Sequence, residues 1–219
     1  MHSLEPVVAK TTPVFITLGD SQTEIAANPF LMGYQTQLAF TYQRKADVVN
    51  RGRSSRTTRW WLDNLPSLLA DWAQRPPSLI TIYLGTNDAC SPTGSLAEYH
   101  VPVDAFSANM RAIVGNFTAA FPQVKIILVT PGTVEEWSTW GESRNNKDIY
   151  KYVVATRTIA HDLGLALVDM WEVMDGAIDM TYDGLHLNNQ AHDELHILLL
   201  EQIKKKYPEL TTENMPWAF

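Results

Sequence analysis

Apolar positions along this chain follow two alternating patterns. Five short runs rich in β-branched residues read as strands: Val14–Leu18, Asp47–Asn50, Leu79–Leu84, Val124–Thr130 and Leu165–Asp169. Most are continuously apolar, the pattern of strands covered on both faces. Longer segments with helical period lie between them. Phe106, Met110, Ile113, Val114 and Phe117 recur at spacings of three and four, and so do Ile149, Tyr152, Val153, Thr156, Ile159 and Ala160. Such stripes are core contacts. Strands alternating with helices predict βαβ units around a parallel sheet, with right-handed crossovers that place helices on both faces. No repeat or low-complexity linker interrupts the pattern.

Length and composition narrow this further. A chain of 219 residues suits a single α/β domain over 1–219, with 1–13 as an N-terminal extension and 208–219 as a C-terminal tail. Hydrophobic residues at 45% and charged residues at 19% exclude a disordered chain. The formal charge of −7 opposes a phosphate-tracking nucleic-acid binder. The lone cysteine, Cys90, excludes an internal disulfide and a Cys-rich metal site. The N-terminus lacks the charged and apolar regions of a secretory signal, and no apolar run reaches the roughly 18 residues of a membrane span. A cytoplasmic protein with no membrane span is therefore expected. The sequon at Asn116–Thr118 is expected on a helix and unused.

Parallel sheets carry their sites at the C-terminal ends of the strands. The segments that follow the predicted strands are Gly19-Asp20-Ser21, Arg51-Gly52-Arg53, Gly85-Thr86-Asn87-Asp88 and Pro131-Gly132, with Asp183-Gly184-Leu185-His186 beyond the last. Acyl transfer needs a nucleophile, a base, a group that orients the base, and donors for the oxyanion. Ser21, at a strand-to-helix turn, is the candidate nucleophile. His186 is the candidate base, since an ordinary imidazole titrates near about 6.5. Asp183, three residues earlier, is placed to orient it. The N–H of Ser21, the N–H of Gly52 and the carboxamide of Asn87 are the candidate oxyanion donors.

Taken alone, each block has an ordinary structural meaning. Asp20 or Ser21 can cap a helix. Gly52 can end a strand, Asn87 and Asp88 can form a turn, and His186 can be a buried histidine. Three blocks just after predicted strands and a fourth at the expected C-terminal position favour the chemical reading. His192 and His196, with Glu194 between them, superficially suggest a zinc helix. Asp193 and Leu195 stand where the zinc motifs need glutamate, so an exposed or capping pair is expected and no metal. Cys90 reads as a small buried residue. Trp60, Trp61 and Trp72 read as core.

The blocks GDS, NRG, GTND and DGLH stand in the order of the SGNH (GDSL-type) hydrolase superfamily, which the chain resembles. The segments Asn50–Trp60, Leu84–Cys90 and Asp183–Asn188 are most similar to the fungal isoamyl acetate-hydrolysing esterase group. The resemblance runs from about Val14 to Asn188. It implies a three-layer α/β/α sandwich, a flavodoxin-like five-stranded parallel sheet of order 2-1-3-4-5. It also implies a triad of Ser21, His186 and Asp183 and an oxyanion hole of Ser21, Gly52 and Asn87. The implied activity is serine esterase chemistry on small short-acyl esters, acetate esters foremost, through an acyl-enzyme, with no cofactor and no metal. A thioesterase, lysophospholipase, carbohydrate deacetylase or alcohol acyltransferase would use the same residues, and a non-catalytic binding module would use none. Gln22 departs from the motif, which has leucine or isoleucine after the serine.

The connection from Gly132 to about Lys147 is long, and long loops at a catalytic edge form pocket walls. Val134 and Trp137 are its expected substrate-binding residues, with Trp140 a weaker candidate. Trp217 and Phe219 at the polar C-terminus point to docking near the pocket mouth, either on the parent domain or on a second copy in a homodimer.

Overall fold

The computed structural model describes residues 11–177 and 179–218. The expectations for the first ten residues and for Phe219 fall outside these. Five strands, β1 (Val14–Gly19), β2 (Asp47–Gly52), β3 (Leu79–Tyr83), β4 (Lys125–Val129) and β5 (Ala166–Val168), form one sheet of order β2-β1-β3-β4-β5. All four pairings are parallel. The helices are α1 (Ser21–Ile25), α2 (Tyr34–Thr41), α3 (Thr58–Asp71), α4 (Val103–Ala120), α5 (Asn146–Asp162), α6 (Met170–Met174) and α7 (Asn189–Lys206). This is the expected three-layer α/β/α sandwich.

The pleat explains why the strands read as unbroken apolar runs. Successive side chains alternate between two cores. Ile16, Leu18, Ile80, Ile82, Ile126 and Leu128 face one core, built with α3, α4 and α5. Phe15, Leu79, Tyr83, Ile127 and Val129 face the other, built with α2, α6 and α7. The predicted helical stripes lie inward: Phe106, Met110, Ile113 and Phe117 are fully buried on α4. The edge strand β2 is only half-buried, and it runs two residues past the predicted end because Leu18 and Gly19 of β1 pair with Arg51 and Gly52.

The tail folds back on its own domain. Lys45 Nζ lies 3.8 Å from the Trp217 ring centroid and donates to the Met215 carbonyl at 2.7 Å, while the Ala218 N–H reaches the Arg44 carbonyl at 2.8 Å. These contacts sit just before β2 begins, at the opposite end of the strands from the expected site, so Trp217 does not dock near the pocket mouth. No helix among the described residues is long and apolar enough to cross a membrane.

Ile82, fully buried on the central strand β3, tests this packing. Ile82→Ala should lower stability by about 2–5 kcal/mol, read as a lower urea midpoint at unchanged slope.

Candidate active site

The site begins where β1 gives way to α1. A side chain at Gly19 would run into Thr23 and come within 2.6 Å of the Tyr83 carbonyl, so glycine is needed for the chain to fold back so tightly. Asp20 then caps α1, its Oδ1 accepting the Gln22 N–H at 2.9 Å. Ser21 is the first residue of the helix, so its N–H has no acceptor one turn back.

Ser21 Oγ lies 2.9 Å from His186 Nε2, and His186 Nδ1 lies 2.7 Å from Asp183 Oδ2. The other carboxylate oxygen, Oδ1, accepts the backbone N–H groups of Leu185 at 3.0 Å and His186 at 2.8 Å. One aspartate thus shapes the turn and orients the ring. Burial raises its pKa, but the hydrogen bonds from the His186 ring and from the two backbone groups outweigh this and hold it below the usual carboxylate value. An ionised Asp183 requires the hydrogen on Nδ1, which leaves the Nε2 lone pair facing the serine hydroxyl.

Aromatic rings fix the imidazole from two sides. Trp140 meets it edge-on at 5.4 Å between centroids, and Tyr182 stacks on it at 5.9 Å. Gly184, at φ +92°, lets the turn pass against Ser138 of the β4–α5 connection. The Glu135 N–H donates to the Gly184 carbonyl at 2.9 Å, and Thr181 Oγ1 bonds to Glu135.

The three expected oxyanion donors are not equally placed. Asn87 lines the cavity at Ser21; one of its side-chain N–H groups donates to the Arg56 carbonyl at 3.1 Å, leaving the second for a ligand. The Gly52 N–H instead donates to Asn50 Oδ1 at 2.7 Å, and Asn50 Nδ2 is anchored on the Thr23 carbonyl at 2.6 Å. Gly52 lines a neighbouring groove beside Trp60 and Trp61. A side chain at Gly52 would collide with the backbone of Thr23 and Glu24, so its plainest role is to let α1 lie against β2.

A cavity of about 320 Å³ opens over Ser21, Asn87 and His186. Its apolar wall comes from Ile25, Leu96, Trp140 and Leu185, and its polar wall from Ser54, Ser55 and Tyr99. The two expected substrate-binding residues are not among its walls. Val134 is buried in the core, with its N–H and C=O both taken by the Asn146 side chain at 2.9 Å. Trp137 is 85% exposed. Trp140 takes the place expected of Trp137 because the turn Thr139–Glu142 directs it onto His186. Leu96 and Tyr99 come from a turn after β3 that carries no periodic signal, and sequence reasoning missed them.

A buried charge cluster adjoins the cavity, which one of its members, Arg144, lines. Asp20 is fully buried, and burial, reinforced by repulsion from Asp88, raises its pKa to about 7, while Arg144 pulls it back. Burial also raises Asp88 to about 6, against hydrogen bonds from Thr58. Arg144, 2% exposed, donates from Nη2 to Cys90 Sγ at 2.9 Å. Cys90 is the small buried residue expected. His192 and His196 are buried on the inner face of α7, not exposed, because they share the core stripe with Ala191, Leu195 and Leu199. Burial lowers the His192 pKa to about 4. Among the described residues no group of three or more His, Cys, Asp or Glu is arranged to hold a metal ion.

A hydroxyl, an imidazole and a carboxylate in hydrogen-bonded sequence, opening on a small cavity at a strand end, define the class of a serine hydrolase. The GDSL-like Lipase/Acylhydrolase family matches residues 17–194, and the chain belongs to that family. An Arabidopsis thaliana protein named as a GDSL esterase/lipase is 31% identical over 94% of this chain and 91% of its own length. The isoamyl acetate-hydrolyzing esterase 1 homolog of Mus musculus is 31% identical over 94% of this chain and 85% of its own. Among solved structures, a lipase/acylhydrolase from Enterococcus faecalis superposes with a TM-score of 0.69 at 21% identity, covering 89% of this chain and 97% of its own, a likeness of fold. By family, the chain is a serine carboxylic ester hydrolase of the SGNH superfamily, in the isoamyl acetate-hydrolysing esterase group.

Two outcomes follow from this geometry. Folded Asp20 keeps its proton up to about pH 7, whereas the unfolded carboxyl releases it near 3.8. The folded state therefore binds the extra proton between these values, and this group's contribution to stability falls as pH rises through that window. Asp20→Asn keeps the cap oxygen and should lack this loss, so its urea midpoint should gain on the wild type from pH 4 to pH 7. Gly52→Ala should displace α1 and lower both stability and esterase activity, whereas a surface Gly115→Ala, with open space around it, should do neither.

Proposed function

We propose that the protein hydrolyses small short-acyl esters, acetate esters of medium-length alcohols foremost, through an acyl-enzyme on Ser21. The observation that carries this reading is the Asp183–His186–Ser21 hydrogen-bonded series opening into the cavity of about 320 Å³. That volume lies at the lower end of the roughly 300–1,000 Å³ of small-molecule sites, which suits a compact ester better than a long acyl chain. The isoamyl acetate named in the mouse relative supports the acetate preference.

In this mechanism His186 Nε2 takes the Ser21 proton as Oγ attacks the ester carbonyl. The Ser21 N–H and the free Asn87 N–H hold the tetrahedral oxyanion. Asp183 steadies the imidazolium. The imidazolium then protonates the departing alcohol, leaving Ser21 acylated. Water, deprotonated by His186, attacks the acyl carbon, and Ser21 Oγ leaves with the returned proton. The Gly52 N–H can join the oxyanion donors only by releasing Asn50.

Hydrolysis of p-nitrophenyl esters from acetate to decanoate tests the reading. Rates should peak at the shortest acyl chains. Ser21→Ala should lose about 10⁴-fold or more, and Asn87→Ala about 10²- to 10³-fold, with folding intact. Equal rates for wild type and Ser21→Ala would sink the proposal. Faster transfer to added alcohols than to water would favour an acyltransferase.

A further inference from the structure

The residue that departs from the motif is the one that joins the two halves of the site. Gln22 is 3% exposed. Its Nε2 donates to the Leu185 carbonyl at 2.8 Å, and its Oε1 accepts the Leu187 N–H at 3.2 Å. These peptide groups lie on either side of His186. Gln22 also follows Ser21 directly, and its own N–H is held by Asp20. One carboxamide therefore ties the base-bearing loop to the helix that carries the proposed nucleophile.

We propose that Gln22 is a positioning residue whose main effect falls on the second half of the reaction. The proposal rests on the serine esterase reading above. Among the described residues, three hydrogen bonds join α1 to residues 181–187: two from Gln22, and the Ser21–His186 pair itself. Once Ser21 is acylated, Oγ no longer carries a proton to share with Nε2, and the third bond is lost. The two Gln22 bonds then hold the imidazole over the acyl group while it activates water. The remaining anchors of the loop lead to the β4–α5 connection, not to α1.

The chemistry singles out glutamine. It presents a donor and an acceptor at one reach. Leucine fills a similar volume with neither. An ionised glutamate can still accept from Leu187 but opposes the Leu185 carbonyl with a second acceptor. Asparagine is one methylene short. Small misplacements of a reacting group cost up to about 10²-fold in rate, so loosening this clamp is read in turnover before it is read in folding.

The experiment compares wild type, Q22L and Q22E with p-nitrophenyl acetate by stopped flow, with acid-quench mass measurement of the acylated chain. In Q22L the deacylation rate should fall by about tenfold or more. Acylated enzyme should accumulate, and kcat and KM should fall together, so that kcat/KM changes less than kcat. Q22E, which keeps one bond, should show the same pattern at smaller size, and it decides the question where Q22L does not fold. An unchanged deacylation rate overturns the proposal. So does a loss confined to burst amplitude, which reports fewer folded sites. If wild type forms no acyl-enzyme, the esterase reading fails separately. The clamp then stands or falls on the far-downfield proton NMR signal of the His186–Asp183 hydrogen bond: broadened in Q22L if Gln22 holds the loop, unchanged if it does not.

Discussion

Helix α1 lies so close to the ends of β1 and β2 that no side chain fits between them. Gly19 leaves room for Thr23 to sit against the strand end, and Gly52 leaves room for the backbone of Thr23 and Glu24. The contact at Gly52 is between main chains, so it cannot relax by a rotamer change. It fixes where Ser21 stands relative to the sheet. Asp20, next to Ser21, is fully buried there, where its carboxyl caps the helix and feels the charges of Asp88 and of Arg144, which lines the cavity. The sheet supplies rigidity, and this contact converts it into a defined position for one hydroxyl.

The opposing half of the site is held by different means. Residues 181–188 belong to no long element; they form a turn closed by the Thr181–Leu187 bridge and by both oxygens of Asp183. The Gly184 carbonyl and Thr181 fasten the turn to Glu135 on one side, and Gln22 fastens it to α1 on the other. Trp140 and Tyr182 restrict the ring between them. A base on such a turn keeps its orientation through many modest contacts rather than through regular structure.

The fold was legible because the strands are buried and their apolar runs unmistakable. The sheet order came from the resemblance. Ser21, Asn87, Asp183 and His186 were legible because each stands just past a strand end or in a block of its own; the structure brings Ser21, Asn87 and His186 to one cavity and sets Asp183 behind His186. What escaped depends on competition between neighbours. Asn50 takes the Gly52 N–H from two residues away, a local side-chain bond that glycine's position alone does not announce. Trp137 and Trp140 share an aperiodic loop, and only the turn at Thr139–Glu142 decides which faces His186. His192 and His196 look like surface residues by type, yet their spacing is that of the α7 core stripe. Leu96 and Tyr99 reach the cavity through a loop whose path no pattern predicts.

Ser21 and His186 meet across a sequence separation of 165 residues, and Gln22 reaches Leu185 across 163. Four of the five strands, β2 to β5, lie between the two partners in sequence. Contacts of such long range form late, because the intervening chain must be ordered before they repay loop closure. The serine and its base are therefore strangers until the sheet is whole. A chain still emerging from the ribosome, or a partly folded one, holds an inert hydroxyl, and reactivity arrives as the last property the folding molecule acquires.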